Sequence, residues 1–140
     1  MGQKIHPNGF RLGVIRDWDA KWFATGSTYS KNLVADQGIR SFLRKRLANA
    51  AVSRIELVRA GETLNVTIHT GRPGIVIGRK GSGIRALTDK LATDFGLKNP
   101  QISVVEIEKP ELAPSVMCNR MASHLERGTA FRRADRKSVV

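Results

Sequence analysis

The 140 residues carry 24 Lys and Arg against 12 Asp and Glu, a net charge of +12, with 41% hydrophobic residues. That is enough chain for one domain with a real core, and the charge excess calls for a polyanionic partner. No apolar run approaches the roughly 20 residues of a membrane-spanning helix and no signal-peptide stretch follows Met1, so no membrane partner is expected; the single cysteine, Cys118, permits no internal disulfide and suits a reducing compartment.

The charge is uneven: residues 1–60 hold 11 basic and 4 acidic side chains, 61–115 hold 7 and 6, and 116–140 hold 6 and 2. Residues 1–28 combine Pro7, Gly9, Gly13 and Gly26 with Phe10, Trp18, Trp22 and Phe23 and show no sustained period, which predicts an extended arm. From about Ser30 to Ala50 the apolar stripe Ile39, Phe42, Leu43, Leu47, with Arg40, Arg44, Lys45 and Arg46 on other faces, predicts an amphipathic helix with a basic side. Ser53–Val58 and Leu64–Thr70 alternate apolar and polar residues and predict two strands joined around Ala60-Gly61.

Pro73 then fits the first position of a short helix, followed by Gly78-Arg79-Lys80-Gly81. The spacing Ile84, Leu87, Leu91, Phe95 predicts a second amphipathic helix, stopped by Gly96 in a left-handed conformation. A third strand is expected over about Gln101–Ile107, its alternation slipping at Val105. Pro110 and Pro114 bracket a linker and start a last helix, with Met117, Met121 and Leu125 on one face. Gly128-Thr129 weakens that helix, leaving Phe131–Lys137 as a separate turn or a frayed end. The order helix, two strands, two helices, strand, helix reads as an α+β fold with helices on one face of the sheet.

Gly78-Arg79-Lys80-Gly81 lies between the short helix and the longer one, the setting in which a Gly-x-x-Gly loop clamps a nucleic-acid backbone. Glycines let the loop turn sharply and the sugar-phosphate chain approach closely. The following helix presents unpaired N–H groups and its positive end, while Arg79 and Lys80 add full charges. Such a loop positions the strand, and base choice falls to an adjacent groove expected to be lined by Ile75, Val76, Ile77 and side chains of the third strand. The blander reading is a tight turn, and for the arginine-rich helices a solvated face; the net charge of +12 weighs against both.

Rival chemistries find little support. A P-loop requires Gly-Lys followed by Ser or Thr, whereas here Lys80 is followed by Gly81. Gly81, Gly83 and Ala86 match a dinucleotide fingerprint loosely, but Ile75–Ile77 is too short for the parallel strand that must precede it. His6, His69 and His124 are scattered without metal-ligand spacing. Ser123 and His124 are helix neighbours that point apart, and Cys118 beside Met117 and Met121 reads as helix packing. Glu106, Glu108 and Glu111 read as solvated or salt-bridged. No enzyme activity, cofactor or metal is expected.

Longer motifs carry a resemblance: Met1-Gly2-Gln3-Lys4-Ile5-His6-Pro7, Arg11-Leu12-Gly13, Trp18 with Trp22-Phe23, Val52-Ser53-Arg54-Ile55, Val66–Thr70, Arg72-Pro73-Gly74 through Gly81, Lys109-Pro110-Glu111-Leu112, Leu125-Glu126-Arg127 and Phe131-Arg132-Arg133-Ala134. Over nearly its whole length the chain resembles the N-terminal part of the bacterial-type S-three family of small-subunit ribosomal proteins. The resemblance implies a type II KH domain, a three-stranded mixed sheet with helices on one face, preceded by an extended basic arm and followed by a C-terminal helix. The expected division is an arm over 1–28, the KH domain over 29–109, and a linker with a basic helix over 110–140. The family continues into a second α/β domain, which this sequence to Val140 does not contain, and Gly128 stands where a helix former is expected.

The resemblance further implies a cytoplasmic ribosomal protein of the small-subunit head, bound to small-subunit ribosomal RNA beside ribosomal proteins S-ten and S-fourteen and placed at the messenger-RNA entrance. It puts Lys4, Arg11 and Arg16 on ribosomal RNA phosphates and matches Arg132, Arg133 and Arg136 to a basic segment that contacts messenger RNA. Arg54, Arg72 and Arg127, within the matching motifs, complete the expected RNA-binding set with Gly78, Arg79, Lys80 and Gly81. The competing reading is a free-standing KH protein that binds single-stranded RNA as a regulator or assembly factor, against which the aromatic-bearing basic arm argues. A nucleotide-binding enzyme, from another class, would need a phosphate loop and an acidic metal ligand, and absence of ATP or NAD binding would dispose of it.

Overall fold

The structure, a computed structural model, describes residues 2–61 and 63–139, with side chains through Arg136; the expected arm and tail ends, Met1 and Val140, lie outside the described residues. Its helices are α1 (Pro7–Arg11), α2 (Gly26–Arg46), α3 (Pro73–Ile77), α4 (Ser82–Phe95), α5 (Pro114–Glu126) and α6 (Phe131–Val139), and its strands β1 (Ala20–Lys21), β2 (Val52–Ala60), β3 (Thr63–Thr70) and β4 (Asn99–Glu106). The sheet order is β1-β2-β3-β4. β2 and β3 are antiparallel, whereas β1 runs parallel to β2 and β4 parallel to β3.

Period-two alternation sends Ile55 and Leu57 of β2 and Leu64, Val66 and Ile68 of β3 to one face. There they pack with Ile39, Leu43 and Leu47 of the α2 side, Val76 of α3, and Leu87 and Leu91 of α4, which together form the buried core. Helices α2 and α4 meet where Gly38 leaves room for the Phe95 ring: a Cβ on Gly38 would lie 2.9 Å from it. A mid-helix glycine costs about 1 kcal/mol relative to alanine, and this close approach is its physical reason. The opposite sheet face is polar and half-buried, with His69 Nε2 3.2 Å from Glu56 Oε1 and Arg54 paired with both Glu56 and Asp19.

The expected α+β architecture is present, with additions from the arm. The segment is not uniformly extended: it contains α1, and β1 adds a fourth strand by pairing Ala20 with Leu57 and Lys21 with Val58. Leu57 N–H donates to Asp19 O at 2.9 Å, and the Arg40 guanidinium donates to both Asp19 O and Ile55 O at 2.7 Å. The buried Asp36 carboxylate accepts from Trp22 Nε1 at 2.7 Å and from Arg59 Nε at 3.0 Å. Arg40 is therefore a bridge between arm and sheet rather than part of a free basic helix face. The last helix is two: α5 stops at Glu126, Gly128 takes φ 78°, and α6 follows as a separate helix.

Candidate nucleic-acid interface

The Gly78–Gly81 loop joins α3 to α4, and glycines set its geometry. Gly78 has φ 69° and Gly81 φ 78°, backbone regions that side chains disfavour. A Cβ on Gly83 would stand 2.4 Å from Val76 O and 3.0 Å from Ile77 O, and one on Gly78 would stand 2.9 Å from Gly83 N. The C-terminal carbonyls of α3 therefore press on the first turn of α4. That contact fixes the loop without help from its charged side chains.

Helix α4 has no side-chain cap and no acidic residue in its first turn; its N-cap is Gly81 itself. A Ser, Thr or Asp cap would contribute about 1 kcal/mol; without one, the N–H groups that follow Ser82, whose own N–H donates to Arg79 O, have no side-chain acceptor. Arg79 and Lys80 are exposed on either side of the turn. Lys80 adopts φ 53°, ψ 28°, a left-handed conformation costing a non-glycine residue about 1–2 kcal/mol. Strained residues of this kind cluster at ligand clamps.

The flanking apolar residues divide by helix face. Val76 is 1% exposed and belongs to the core, so the expectation that it lines a groove is corrected; Ile75 and Ile77, 51% and 38% exposed, are the two that face solvent. A five-residue helix has room to bury one side only, and Val76 takes it. On β4, Ile102 and Val104 are half-buried against the core while Val105 and Glu106 are both exposed, so the alternation breaks at the end of the strand.

The other expected residues are spread out. Lys4 and Arg11 are exposed on the arm; Arg16 donates to Asn8 Oδ1 at 3.0 Å and lies 3.6 Å from Asp19. Arg54 sits on the open sheet face between Glu56 and Asp19, so its charge is internally balanced. Arg132 lies over the Phe131 ring at 5.7 Å, and Arg133 and Arg136 are exposed on α6. Arg72, at the start of α3, and Arg127, at the end of α5, share the rim of a groove with Arg120, which the sequence reading did not single out, and with His124, which it weighed only for metal binding and catalysis. The signal was available: Arg120, His124 and Arg127 stand at i, i+4 and i+7 on one face of α5. Cys118 is exposed rather than packed, because α5 buries Val116 and turns Cys118 to solvent.

Among the described residues no helix is long and apolar enough to cross a membrane. A family model described as KH domain matches residues 38–112, which takes in the C-terminal part of α2, all of α3 and α4, the three longer strands and the glycine loop. The small ribosomal subunit protein uS3 of Caldicellulosiruptor saccharolyticus is 45% identical over 140 residues, covering 100% of this chain and 63% of that protein. The uS3 proteins of Clostridium novyi, 41% identical over 139 residues, and Clostridium botulinum, 44% identical over 139 residues, are matched over 63% and 62% of their lengths. The chain thus spans less than two thirds of the length of these ribosomal proteins. The KH-domain model, which covers more than half of the chain, places it in the KH-domain family, and along its whole length the sequence is similar to small ribosomal subunit proteins uS3.

Proposed function

We propose that the protein is a structural constituent of the small ribosomal subunit that binds small-subunit ribosomal RNA in the head and helps position messenger RNA at the entrance. The observation that carries this reading is the glycine-fixed loop at the open start of α4, flanked by Arg79 and Lys80. It offers phosphates N–H donors and full charges at a site already formed without ligand, which lowers the cost of binding. Gly78, Arg79, Lys80 and Gly81 clamp backbone, with Arg72 beside the same short helix. Lys4, Arg11 and Arg16 are assigned to ribosomal RNA through the arm, and Arg127, Arg132, Arg133 and Arg136 to RNA at the C-terminal end, the last three toward messenger RNA. Arg54 is the weakest member of the set, since Glu56 and Asp19 already engage it.

Ribosomal proteins S-ten and S-fourteen are the proposed protein neighbours, and the cytoplasmic ribosome the location. The arm supports a protein- and RNA-lined setting: Phe10, Val14, Ile15, Trp18 and Phe23 are all exposed, more apolar surface than a free protein ordinarily shows in one segment.

Sedimentation of cell lysate, probed for this chain in low and in high salt, tests the reading. Co-migration with the small subunit that survives high salt is expected. A chain left at the top of the gradient would instead identify a free KH protein acting on single-stranded RNA.

A further inference from the structure

A groove of about 500 Å³ opens between α5, the Gly71-Arg72 segment that leads into α3, and Pro110-Glu111. Its floor is fixed by a tight backbone approach: a Cβ on Gly71 would lie 2.7 Å from Pro110 Cβ, and Gly71 N–H donates to Ala51 O at 3.1 Å. Its walls carry Arg72, Arg120, His124 and Arg127, with Asn49 as a further polar donor and Glu111 as the single acid. Glu111 lies 3.7 Å from Arg120, and both side chains are more than half exposed. Three guanidinium groups thus line one concave site against one weakly held carboxylate, a balance suited to a phosphate. Arg72 also lies six residues before Gly78, the short α3 between them, so a helical rise of 1.5 Å per residue puts the groove about 9 Å from the glycine loop.

Resting on the reading of that loop as an RNA clamp, we infer that this groove is a second backbone site that takes a phosphodiester of the same RNA strand just beyond the stretch the loop holds. A Gly-x-x-Gly loop clamps about four nucleotides, and a longer strand leaving the clamp on the Arg72 side meets the groove next. Glu111 competes with the phosphate for Arg120, and the strand displaces it.

The test is fluorescence anisotropy of the full chain with labelled tetra- and dodecaribonucleotides of mixed sequence, at low and moderate salt, with amide chemical shifts of Asn49 and Asn119 followed in parallel. Replacing Arg120→Gln together with Arg127→Gln is expected to lower the dodecanucleotide-to-tetranucleotide affinity ratio about tenfold and to flatten the dodecanucleotide salt slope by about 0.7 per lost phosphate. Glu111→Gln is expected to raise the ratio, by about threefold. An unchanged ratio and slope in both variants overturns the inference. So does a groove whose amides shift with inorganic phosphate but not with the dodecanucleotide, which would make it a site for a free anion. Failure of the wild-type chain to hold the tetranucleotide would count against the clamp instead, and the groove amides with the dodecanucleotide would still decide the second site.

Discussion

The loop at 78–81 and the arm at 2–23 both present cations to solvent, but opposite means hold them. Close packing of backbone fixes the loop: the carbonyls of α3 press on Gly83, and no side chain of larger size fits there. The arm is held by the two-residue pairing of β1 with β2 and by polar side chains reaching across the fold, Arg40 donating to the Asp19 and Ile55 carbonyls and Asp36 accepting from Trp22, while Phe10, Val14, Ile15, Trp18 and Phe23 remain exposed. The loop is held in one shape by its own backbone, and the arm leaves its apolar surface uncovered. Charge alone does not separate the two; the route by which the backbone is restrained does.

The sharpest way to break this contrast is at Asp36. Asp36→Ala removes the acceptor of Trp22 and Arg59 and leaves the half-buried Arg59 guanidinium without its carboxylate. It is expected to destabilise the fold by about 3 kcal/mol and to expose Trp22, read as a lower urea midpoint and a red-shifted tryptophan emission in the native baseline. A native emission unchanged from wild type would show that β1 pairing alone holds the arm.

Gly83→Ala attacks the other restraint. Its methyl group has no space before Val76 O, so α3 and α4 must part, at about 2 kcal/mol, and affinity for a tetranucleotide should fall with it. Thermal melting and anisotropy check the two effects together; lost stability with affinity intact would uncouple the glycine contact from the site. Lys80→Gly has a smaller and more telling effect. It removes the left-handed strain and a cation at once, so stability should stay level or rise, by no more than about 1 kcal/mol, while RNA affinity falls. Reduced stability would mean that the Lys80 conformation is not strained.

The smallest effect is expected at Asp17. The Lys21 ammonium hydrogen-bonded to it, and then the Trp18 N–H, hold the Asp17 carboxyl below the ordinary carboxylate range, and Asp17 in turn raises Lys21. The carboxylate's contribution is present above the ordinary carboxylate pKa and lost as pH falls through the lowered one. The lysine's is complete below its ordinary pKa and lost as pH rises through the raised one. Both groups are fully exposed and screened by solvent, so Asp17→Asn should leave the melting temperature at neutral pH unchanged. A measurable drop would give the arm an anchor beyond Asp36 and Arg40.

Most of the sheet and its helices were legible in the residues because their signals are local. Alternation through Ile55 and Leu57 and through Leu64, Val66 and Ile68 depends on the pleat, the Leu87 and Leu91 stripe on the helical period, and the stop at Gly96 on its left-handed conformation, φ 62°. The loop was legible for the same reason. What escaped was set by distant partners: the two residues of β1 are a strand only because Leu57 and Val58 lie alongside. Asp36 is buried because Trp22 and Arg59, 14 and 23 residues away, both donate to it. Arg120 and His124 share a groove with Arg72 because the fold brings the start of α3 beside α5, a distance the helical spacing within α5 does not report.

The central claim is that the loop at 78–81, and not general basicity, holds single-stranded RNA. The most direct test is tetraribonucleotide binding by the wild-type chain and by the Arg79→Asp, Lys80→Asp double variant, with the fold of each verified by circular dichroism and thermal melting. Binding is expected to be abolished while the melting transition is retained. Unchanged affinity in a folded double variant would contradict it and move the contact away from the loop.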